Sequence, residues 1–507
     1  MYRYLFFALF AGILLLVSYT CMKKVKTLND YFLGDRSVGP WVSAFTYGTT
    51  YFSAVVFIGY AGQIGWNFGL SSLWIAVGNS LVGSLLAWKV LAKRTRRITD
   101  RLDSMTMPEF LESRYQSPGL KILSSLVIFI FLVPYSASVY MGLSYFFEQI
   151  FNIPYFWALG IMVVLTALFL ILGGYLAVAI TDFIQGVVMV FGVSIMLYFL
   201  LTNPQAGGVT GVIAGLRDIN PDLGGMVGPP GAIPLLSLVI LTSLGSWGLP
   251  QMVQRFYTIK DEKSIKPAMI VATAFAVLVT GAAYFLGSTT QLFFEAVPTM
   301  GGVANTDLLI PQLLNNIMPE AVLFLLLLLV VSASMSTLSS LVLVSSSTLA
   351  IDLFKGFIKP DMSDKASMLL MRGLCLVFVL LSFFIAIARP TIILTLMAIS
   401  WGTIAGAFLA PYLYGLYWSG MTKAGAWSGL IGGLVISVVL SLYFGMDSQH
   451  IPLIGSLAIL LPLVITPIVS LFTANYSEEH LKEVYGELYD EGGYKFDVKE
   501  LIFNFLD

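Results

Sequence analysis

Thirteen apolar runs, each long enough to cross a lipid bilayer, divide this 507-residue chain. A membrane-crossing helix needs about 20 mostly apolar residues, and inside lipid only helices and closed barrels satisfy every backbone hydrogen bond. Only 11% of the residues are charged, whereas soluble domains carry about 25%. The sequence therefore predicts an all-α polytopic membrane protein with 13 transmembrane helices. The runs are residues 4–22, 41–62, 71–92, 122–148, 155–174, 181–201, 234–256, 268–290, 319–351, 368–388, 391–418, 424–443 and 451–473.

The lysines and arginines predict how the chain is oriented. Of 27 such residues, all but Arg3, Arg217 and Arg389 fall on one side of the predicted spans. Cytoplasmic loops carry the excess of positive charge, so we expect the N-terminus outside and the C-terminus in the cytoplasm. Residues 474–507 then form a cytoplasmic tail. We expect a multi-pass protein of a bacterial or archaeal plasma membrane.

Membrane-embedded catalysis is disfavoured by the distribution of titratable residues. Both histidines, His450 and His480, lie outside the apolar runs, and Asp182 is the one carboxylate deep inside a run. An acid–base pair is therefore missing, and we expect no enzymatic activity, no organic cofactor and no nucleic-acid partner. The lipid bilayer is the expected surrounding, and the protein is expected to function as a monomer.

Two spans, five apart in the chain, contain helix breakers at matched places. The second span has Gly48 flanked by threonines, and the seventh has Gly245 and Gly248 before Pro250. Proline removes a backbone donor and clashes with the preceding turn. Paired broken helices are typical of inverted-repeat secondary transporters, which bind substrate at the breaks. For either span alone, the alternative is a simple proline kink with glycines that allow close packing. For the pair, the alternative is a channel, because broken helices also occur in channels.

The ninth run is unusually rich in hydroxyl groups. Residues 331–352 read VSASMSTLSSLVLVSSSTLAID, and lipid-facing positions gain nothing from such side chains. Their oxygens suit an alkali cation, with Asp182 as a compensating charge. Close helix packing with hydrogen bonds to the preceding turn is the alternative for the hydroxyls. For Asp182 the alternatives are a helix N-terminus at the membrane edge and a proton-coupling site.

These segments resemble the sodium:solute symporter family, which includes the bacterial sodium/proline and sodium/pantothenate symporters. The resemblance implies a leucine-transporter-like core of two inverted five-helix repeats, residues 41–201 and 234–418. Residues 4–22 would form an extra N-terminal helix and residues 424–473 two extra C-terminal helices, within one transporter domain, residues 1–473. The strings that carry the resemblance are DYFLGDRSVGP (30–40), GGYLAVAITDFIQG (173–186), GLPQMVQRF (248–256), SMSTLSS (334–340) and WSGMTKAGAWSGLIGG (418–433).

The resemblance implies one or two sodium ions as coupling ions. The family's common sodium site would use carbonyl oxygens of the first broken helix and oxygens of the hydroxyl-rich span. The matching residues are Thr49 and Phe52 (carbonyls), Ala333 (carbonyl), Ser336 and Thr337 (hydroxyls). A second sodium site, known in some relatives, would use Asp182, Ser339 and Ser340.

By the same resemblance, the substrate would contact the broken helices and aromatic side chains. The matching residues are Ser53, Tyr135, Ser246, Trp247 and Trp401. Tyr51 stands where proline symporters carry an aspartate, which leaves the local charge different. No charged side chain is expected near the breaks, and exposed half-helix N-termini suit a carboxylate.

The sequence therefore predicts sodium-coupled symport of a small carboxylate-bearing solute by alternating access, with proline or a similar amino acid as the first candidate. The segment DLLIPQLLNNIMP (307–319) is more similar to pantothenate and monocarboxylate carriers, so those substrates remain the alternative. A proton-coupled carrier, a channel and a transporter-like sensor are the remaining alternatives.

Overall fold

All thirteen apolar runs are largely helical in the computed structural model, which describes residues 2–23, 27–445, 449–486 and 489. Within those ranges, nine helices are long and apolar enough to cross a membrane, and ten if the bent pair Ala232–Gly248 and Pro250–Thr258 counts as one. Leu9–Cys21 and Tyr155–Leu168 are shorter apolar helices. The all-α membrane fold is thus confirmed, while the count of thirteen spans stays a prediction.

The helices follow one another with short connections, and one small hairpin joins Thr299–Met300 to Val303–Ala304. The α-helices are Tyr2–Met22, Leu28–Leu33, Pro40–Tyr51, Ala61–Phe68, Leu73–Ser80, Lys93–Arg101, Met107–Tyr115, Pro118–Phe151, Tyr155–Thr202, Gly208–Ile219, Ala232–Val239, Pro250–Thr258, Ile265–Ser288, Thr290–Phe293, Leu309–Ile317, Glu320–Ser347, Asp364–Ala388, Ile393–Tyr417, Lys423–Tyr443, Ile451–Leu471 and Glu478–Tyr485. Wider π-helical segments are Val55–Tyr60, Leu81–Leu86, Trp88–Ala92, Ile240–Leu244 and Thr348–Ile358, and 3-10 turns are Gly34–Arg36, Gly69–Ser72, Pro221–Gly224, Gly245–Gly248, Glu262–Ser264 and Thr306–Leu308.

Tyr155–Thr202 is interrupted at Gly174. The φ and ψ angles there are 61° and −169°, a conformation that side chains with a Cβ rarely adopt. A Cβ at this position would also lie 2.9 Å from the carbonyl oxygen of Tyr31. Gly174 therefore separates the fifth and sixth predicted spans, and the segment after it carries Asp182.

The first broken helix comprises Pro40–Tyr51 and the helical segment that resumes at Val55. The last hydrogen bond of Pro40–Tyr51 runs from the Phe52 amide to the Gly48 carbonyl (3.0 Å), and the Phe52 backbone is extended. The break therefore lies at Phe52 and Ser53, four residues beyond the predicted Gly48. Gly48 is inside the helix, where the Phe275 ring occupies the space a Cβ would need. The missing side chain of Gly48 therefore allows close packing and does not break the helix.

The second broken helix comprises Ala232–Gly248 and Pro250–Thr258, which meet at 45°. Leu249 is extended (φ −85°, ψ 119°), and Pro250 occupies the first turn of the following helix, where its missing N–H is harmless. A Cβ on Gly248 would lie 2.9 Å from the Cα of Ala405, so this glycine lets the break pack against Ile393–Tyr417. The predicted break at Gly245, Gly248 and Pro250 coincides with this bend.

Backbone hydrogen bonds join the two broken helices at the end that carries most of the positive charge. The Val38 amide donates to the Thr258 carbonyl (3.2 Å), and the Lys260 amide donates to the Val38 carbonyl (3.0 Å). Val38 precedes the first broken helix and Thr258 ends the second. These two hydrogen bonds, hereafter the Val38 bridge, couple the two halves of the chain at this edge.

The start of the predicted tail packs on the same end of the protein. Glu478–Tyr485 is helical, and the Tyr485 hydroxyl donates to the Gly415 carbonyl (2.8 Å). The buried Arg114 guanidinium donates to that hydroxyl (3.0 Å). Residues 490–507 of the predicted tail lie outside the described residues.

Gly287 is expected to be essential for packing. A Cβ there would overlap the Ala61 carbonyl, because Ala61–Phe68 and Ile265–Ser288 cross backbone to backbone. Gly287→Ala should destabilise the protein by about 1–3 kcal/mol, the usual range for overpacking. Scanning fluorimetry of the purified protein in detergent should show this as a lower apparent melting temperature.

Gly281→Ala is the matched control, because Gly281 lies on the same helix and a Cβ there would have no neighbour within 4 Å. Equal melting temperatures for the two variants would contradict this account of the crossing.

Candidate ion- and substrate-binding site

Hydroxyl groups of Glu320–Ser347, hereafter the hydroxyl helix, meet the carbonyls at the first break. The Ser336 hydroxyl donates to the Thr49 carbonyl (2.9 Å), and the Thr337 hydroxyl lies 3.2 Å from the carbonyls of Thr49 and Thr50. Both hydroxyls also lie within 3.3 Å of the Ala333 carbonyl. All of these residues are buried. Four of the five residues predicted for the common sodium site are thus brought together.

For Phe52, the fifth predicted ligand, the described contacts are those of its ring, and the role of its carbonyl stays a prediction. Its ring stacks on Tyr51 (centroids 4.3 Å apart) and on Phe275 (6.5 Å). Among the described residues, neither Ser336 nor Thr337 hydrogen-bonds to the Phe52 carbonyl, and both instead gather around Thr49. Thr50, which the sequence reasoning missed, supplies the additional carbonyl oxygen.

This oxygen cluster is neutral and closed off from bulk water. Hydroxyl and carbonyl oxygens at an unwound helix are the groups that coordinate sodium in secondary transporters. A hydroxyl keeps two lone pairs while it donates, so it can turn from a carbonyl to a cation. The arrangement suits a monovalent cation that forms part of the contact between two helices.

Three other hydroxyls in and just after the hydroxyl helix bond only to the backbone of the preceding turn among the described residues. Ser334 donates to the Val330 carbonyl (2.6 Å), Ser339 to the Ser336 carbonyl (2.9 Å), and Thr348, just beyond the helix, to the Ser345 carbonyl (2.9 Å). Such bonds to the preceding turn are the packing alternative that the sequence left open. The bond of Ser339 matches that alternative, and its role in a second sodium site stays a prediction.

Asp182 is fully buried, and its nearest opposite charge is Arg255. The Arg255 Nη2 atom lies 3.8 Å from the Asp182 Oδ2 atom, and both side chains have no exposed surface. Nη2 also donates to the Thr50 hydroxyl (2.8 Å) and to the Ser340 hydroxyl. Asp182 and Ser340 of the predicted second sodium site are thus close together, but a guanidinium lies between them.

The expectation that no charged side chain lies near the breaks is wrong. Arg255 follows Pro250 by five residues and was counted with the solvated end of its span. Tertiary packing buries all nine residues of Pro250–Thr258, so the arginine has nowhere to point except inward. Gln251, Gln254 and Arg255, one helical turn apart, were the available signal that this half-helix has a buried polar face.

Ser53, at the first break, lies close to the aromatic side chains of Tyr135 and Trp401. Ser53 lies beside Tyr135, whose ring meets the Trp401 ring edge to face at 5.8 Å. The Trp401 ring also stacks on Tyr51 at 5.9 Å. The Tyr135 hydroxyl and the Trp401 indole N–H are buried and lie close to each other, and among the described residues neither makes a hydrogen bond of regular geometry. Buried donors without well-formed hydrogen bonds are costly, so these two are candidates for binding a substrate oxygen.

Ser246 and Trp247 face the third predicted span instead. The Trp247 indole donates to the Val82 carbonyl (2.9 Å), and the Ser246 hydroxyl lies 3.3 Å from the Gly83 carbonyl and 2.8 Å from the Ser243 carbonyl of its own segment. Their polar groups are therefore already paired. The Tyr51 hydroxyl donates to the Thr242 carbonyl (2.6 Å) and so ties the first broken helix to the second.

Asp307 is a buried carboxylate that the sequence reasoning did not assign to the site. Its Oδ2 atom accepts the Ile393 amide (3.2 Å) and thereby caps Ile393–Tyr417, the helix that carries Trp401. Burial raises the pKa of Asp307 to about 7. Asp307 lies in a loop of the sequence between two apolar runs, and its burial depends on how that loop folds.

A cavity of about 510 Å³ lies at the opposite end of the broken helices from the Val38 bridge. Gln63 and Asn67 line it from the end of the first broken helix, and Pro234 and Leu238 from the start of the second. Leu394, seven residues before Trp401, also contributes. The cavity lies at the end of the protein where a substrate would enter under the predicted orientation.

Comparison with known proteins finds transporters of similar sequence. The osmoregulated proline transporter OpuE of Bacillus subtilis (strain 168) is 31% identical over 430 residues, which cover 83% of this chain and 85% of that protein. A sodium/proline symporter of Staphylococcus aureus is 30% identical over 453 residues, covering 86% of this chain and 85% of the relative.

Among solved structures, a Na+-coupled sialic acid symporter in a substrate-bound outward-open state superposes with a TM-score of 0.77. The alignment covers 94% of this chain and 98% of that one at 18% identity, which shows the shared fold alone. This supports the leucine-transporter-like architecture expected from the sequence.

The profile of the sodium:solute symporter family matches residues 31–433, a range that contains both breaks, the hydroxyl helix and Asp182. Because this match and the relatives' alignments extend over most of the chain, this protein belongs to the sodium:solute symporter family.

Proposed function

We propose that this protein imports proline or a similar small amino acid together with sodium by alternating access. The observation that carries the proposal is the contact of Ser336 and Thr337 with the carbonyls at the first break. The orientation proposed from the charges is N-terminus outside and C-terminus cytoplasmic in a bacterial or archaeal cell membrane. The proposed core consists of repeats at 41–201 and 234–418, and it functions as a monomer.

Sodium binding at this contact accounts for coupling. An ion between Thr49, Ala333 and the two hydroxyls holds the first broken helix against the hydroxyl helix. That contact also fixes the break at Ser53, beside which the substrate binds. When the two helices separate toward the cytoplasm, the oxygen cage opens and the ion loses its ligands. Ion and substrate therefore favour the same arrangement, so each raises the affinity for the other.

One sodium ion supplies enough free energy for accumulation. A tenfold sodium gradient contributes about 1.4 kcal/mol. A membrane potential of ~100 mV adds about 2.3 kcal/mol for each charge moved. Together they support a substrate gradient of several hundredfold, so a second ion is not required.

The substrate class follows from the groups at the break. The Tyr135 hydroxyl and the Trp401 indole supply two buried donors, which suit a carboxylate, and the aromatic rings of Tyr51 and Trp401 suit a compact apolar body. Relatives named as proline transporters support proline as the first candidate. Pantothenate and other monocarboxylates share the carboxylate and are the competing substrates.

Uptake by proteoliposomes tests this function directly. Radiolabelled proline should accumulate when sodium is outside, and replacing sodium with choline at fixed pH should abolish accumulation. Preloaded proline should drive counterflow, which a channel does not show. If excess unlabelled pantothenate or lactate inhibits the uptake of labelled proline more strongly than unlabelled proline does, the substrate is that compound and not proline. Accumulation in choline driven by a pH gradient would refute sodium coupling.

Ser336→Ala and Thr337→Ala should each raise the sodium concentration needed for half-maximal uptake by about 10- to 100-fold. Each change removes one oxygen from the ion, and a hydrogen-bond-like interaction with a charge is worth about 1.5–3 kcal/mol. The measurement is sodium-dependent proline uptake at fixed membrane potential.

Ser334→Ala is the matched control, because its hydroxyl bonds only to the Val330 carbonyl one turn back. Equal sodium dependence in Ser334→Ala and Ser336→Ala would show that the hydroxyls serve packing.

Trp401→Phe should raise the KM for proline about tenfold, because the variant keeps an aromatic ring but loses a buried donor that makes no hydrogen bond of regular geometry among the described residues. Trp247→Phe removes a donor already bonded to the Val82 carbonyl and should affect stability more than KM. Initial uptake rates over a range of proline concentrations measure both. A larger increase in KM for Trp247→Phe than for Trp401→Phe would indicate that the substrate binds beside the third span instead.

A further inference from the structure

We propose that Asn79 is a positioning residue for substrate binding, because its side-chain amide joins the two broken helices behind the aromatic residues of the substrate site. The inference rests on the proposed function, in which the substrate binds beside Ser53 and the Trp401 ring. Asn79 lies on Leu73–Ser80, in the third predicted span, and its side chain is buried. Neither the predicted sodium sites nor the predicted substrate contacts include a residue of this span.

The oxygen of the Asn79 side chain contacts one residue of each broken helix. Ser243, on the second broken helix, donates its hydroxyl to the Asn79 Oδ1 atom (3.0 Å). The Tyr51 hydroxyl, at the end of the first helical half, lies 3.4 Å from the same oxygen and donates to the Thr242 carbonyl (2.6 Å). Tyr51 and Ser243 are both buried. Asn79 thus closes a short series of polar contacts between the first break and the second helix.

Two glycines of the third span make room for these hydroxyls. A Cβ on Gly83 would overlap the Tyr51 hydroxyl, and a Cβ on Gly78 would lie 2.6 Å from the Ser243 hydroxyl oxygen. Because neither glycine has a side chain, both hydroxyls can approach the backbone of the span closely. Asn79 lies between the two glycines and provides the polar partner at this close approach.

Backbone carbonyls of the third span hold the broken helices at a neighbouring level. They belong to the π-helical segment Leu81–Leu86, and such widened turns are frequent at functional sites. The bonds run from the Trp247 indole to the Val82 carbonyl (2.9 Å), from the Tyr47 hydroxyl to the Gly83 carbonyl (2.5 Å) and from the Ser246 hydroxyl to the Gly83 carbonyl (3.3 Å). The contact made by Asn79 is therefore part of a larger interface that includes both broken helices.

The influence of Asn79 reaches the substrate site through Tyr51. The Tyr51 ring stacks on the Trp401 ring at 5.9 Å, and the Trp401 ring meets the Tyr135 ring at 5.8 Å. A displaced Tyr51 would shift the aromatic residues beside Ser53, while the hydroxyls proposed to bind sodium would keep their places on another helix. Loss of the amide should therefore weaken substrate binding more than sodium binding.

Transport kinetics of Asn79→Leu test the inference. Leucine has a similar shape but lacks the oxygen, so the KM for proline should rise about 3- to 10-fold, the effect of one lost hydrogen bond. The kcat per reconstituted transporter should stay within about twofold, because uniform binding is lost and the transport step is kept. Initial uptake rates in proteoliposomes, normalised to the amount of reconstituted protein, measure both. An unchanged KM, or a loss confined to kcat, would overturn the proposal.

A second variant removes the same hydrogen bond from its other end. Ser243→Ala should raise the KM for proline by a similar factor, and the double variant with Asn79→Leu should be no worse than the larger single change. KM increases that multiply would show that the two residues act independently, which contradicts the proposal. If Asn79→Leu does not fold, Ser243→Ala decides the question alone, and an unchanged KM would refute the positioning role.

Ser84→Ala is the matched control. Ser84 lies on the same span, and its buried hydroxyl has no hydrogen-bond partner among the described residues, so the KM for proline should not change. The sodium concentration for half-maximal uptake, measured at saturating proline, should stay within about twofold in Asn79→Leu. A KM increase in Ser84→Ala equal to that of Asn79→Leu, or a tenfold sodium shift in Asn79→Leu, would show a general disturbance and overturn the proposal.

The failure of this inference can be distinguished from the failure of the proposed function. Absence of proline uptake by the wild type would refute the proposed substrate. The melting temperatures of the wild type, the two single variants and the double variant would still report whether Asn79 and Ser243 are coupled. Additive losses of melting temperature would then overturn the contact on which the positioning role depends.

Discussion

A backbone carbonyl released from a helix inside a membrane must find another partner, and this requirement organises the whole protein. The first broken helix releases the carbonyls of Thr49 and Thr50, and the hydroxyls of Ser336 and Thr337 meet them. Because the partners are hydroxyls on a different helix, the broken segment is satisfied only while the two helices are together. In the proposed mechanism, an ion that bridges the same oxygens would stabilise the same arrangement. The contact that satisfies the broken backbone would then also be the contact that couples the ion to the substrate.

Several contacts tie the other elements to that break. Tyr51 bonds to the Thr242 carbonyl of the second broken helix, and Arg255 reaches back to Thr50. The Val38 bridge joins the two broken helices at their charged end. Gly248 allows the second break to lie against Ala405 on the helix that carries Trp401. Movement at the oxygen cluster would thus be transmitted to both broken helices and to the aromatic residues beside Ser53.

Prediction from sequence succeeded where a local rule acts on its own. Apolar length predicts helices, proline after glycine predicts the bend at Leu249, and hydroxyl density marks the helix that meets the first break. It was less successful where neighbours decide. Gly48 was expected to break its helix, but Phe275 uses its missing Cβ for packing. Ser339 lies one residue from Ser340, yet it bonds to its own helix, because 100° of rotation separates consecutive side chains.

The sequence by itself determined the membrane-embedded helical class, the matched helix breaks and the supply of oxygen ligands, because hydropathy, backbone chemistry and side-chain type are local properties. Only the tertiary structure decided which of those oxygens converge and which charge faces Asp182. Arg255 has the same place in the sequence as the other basic residues at the ends of spans, and Gln251 and Gln254 one turn before it are the one local sign of a buried polar face. Its burial between four segments follows from how Pro250–Thr258 packs, and a contact among residues 50, 182, 255 and 340 cannot be read from spacing along the chain.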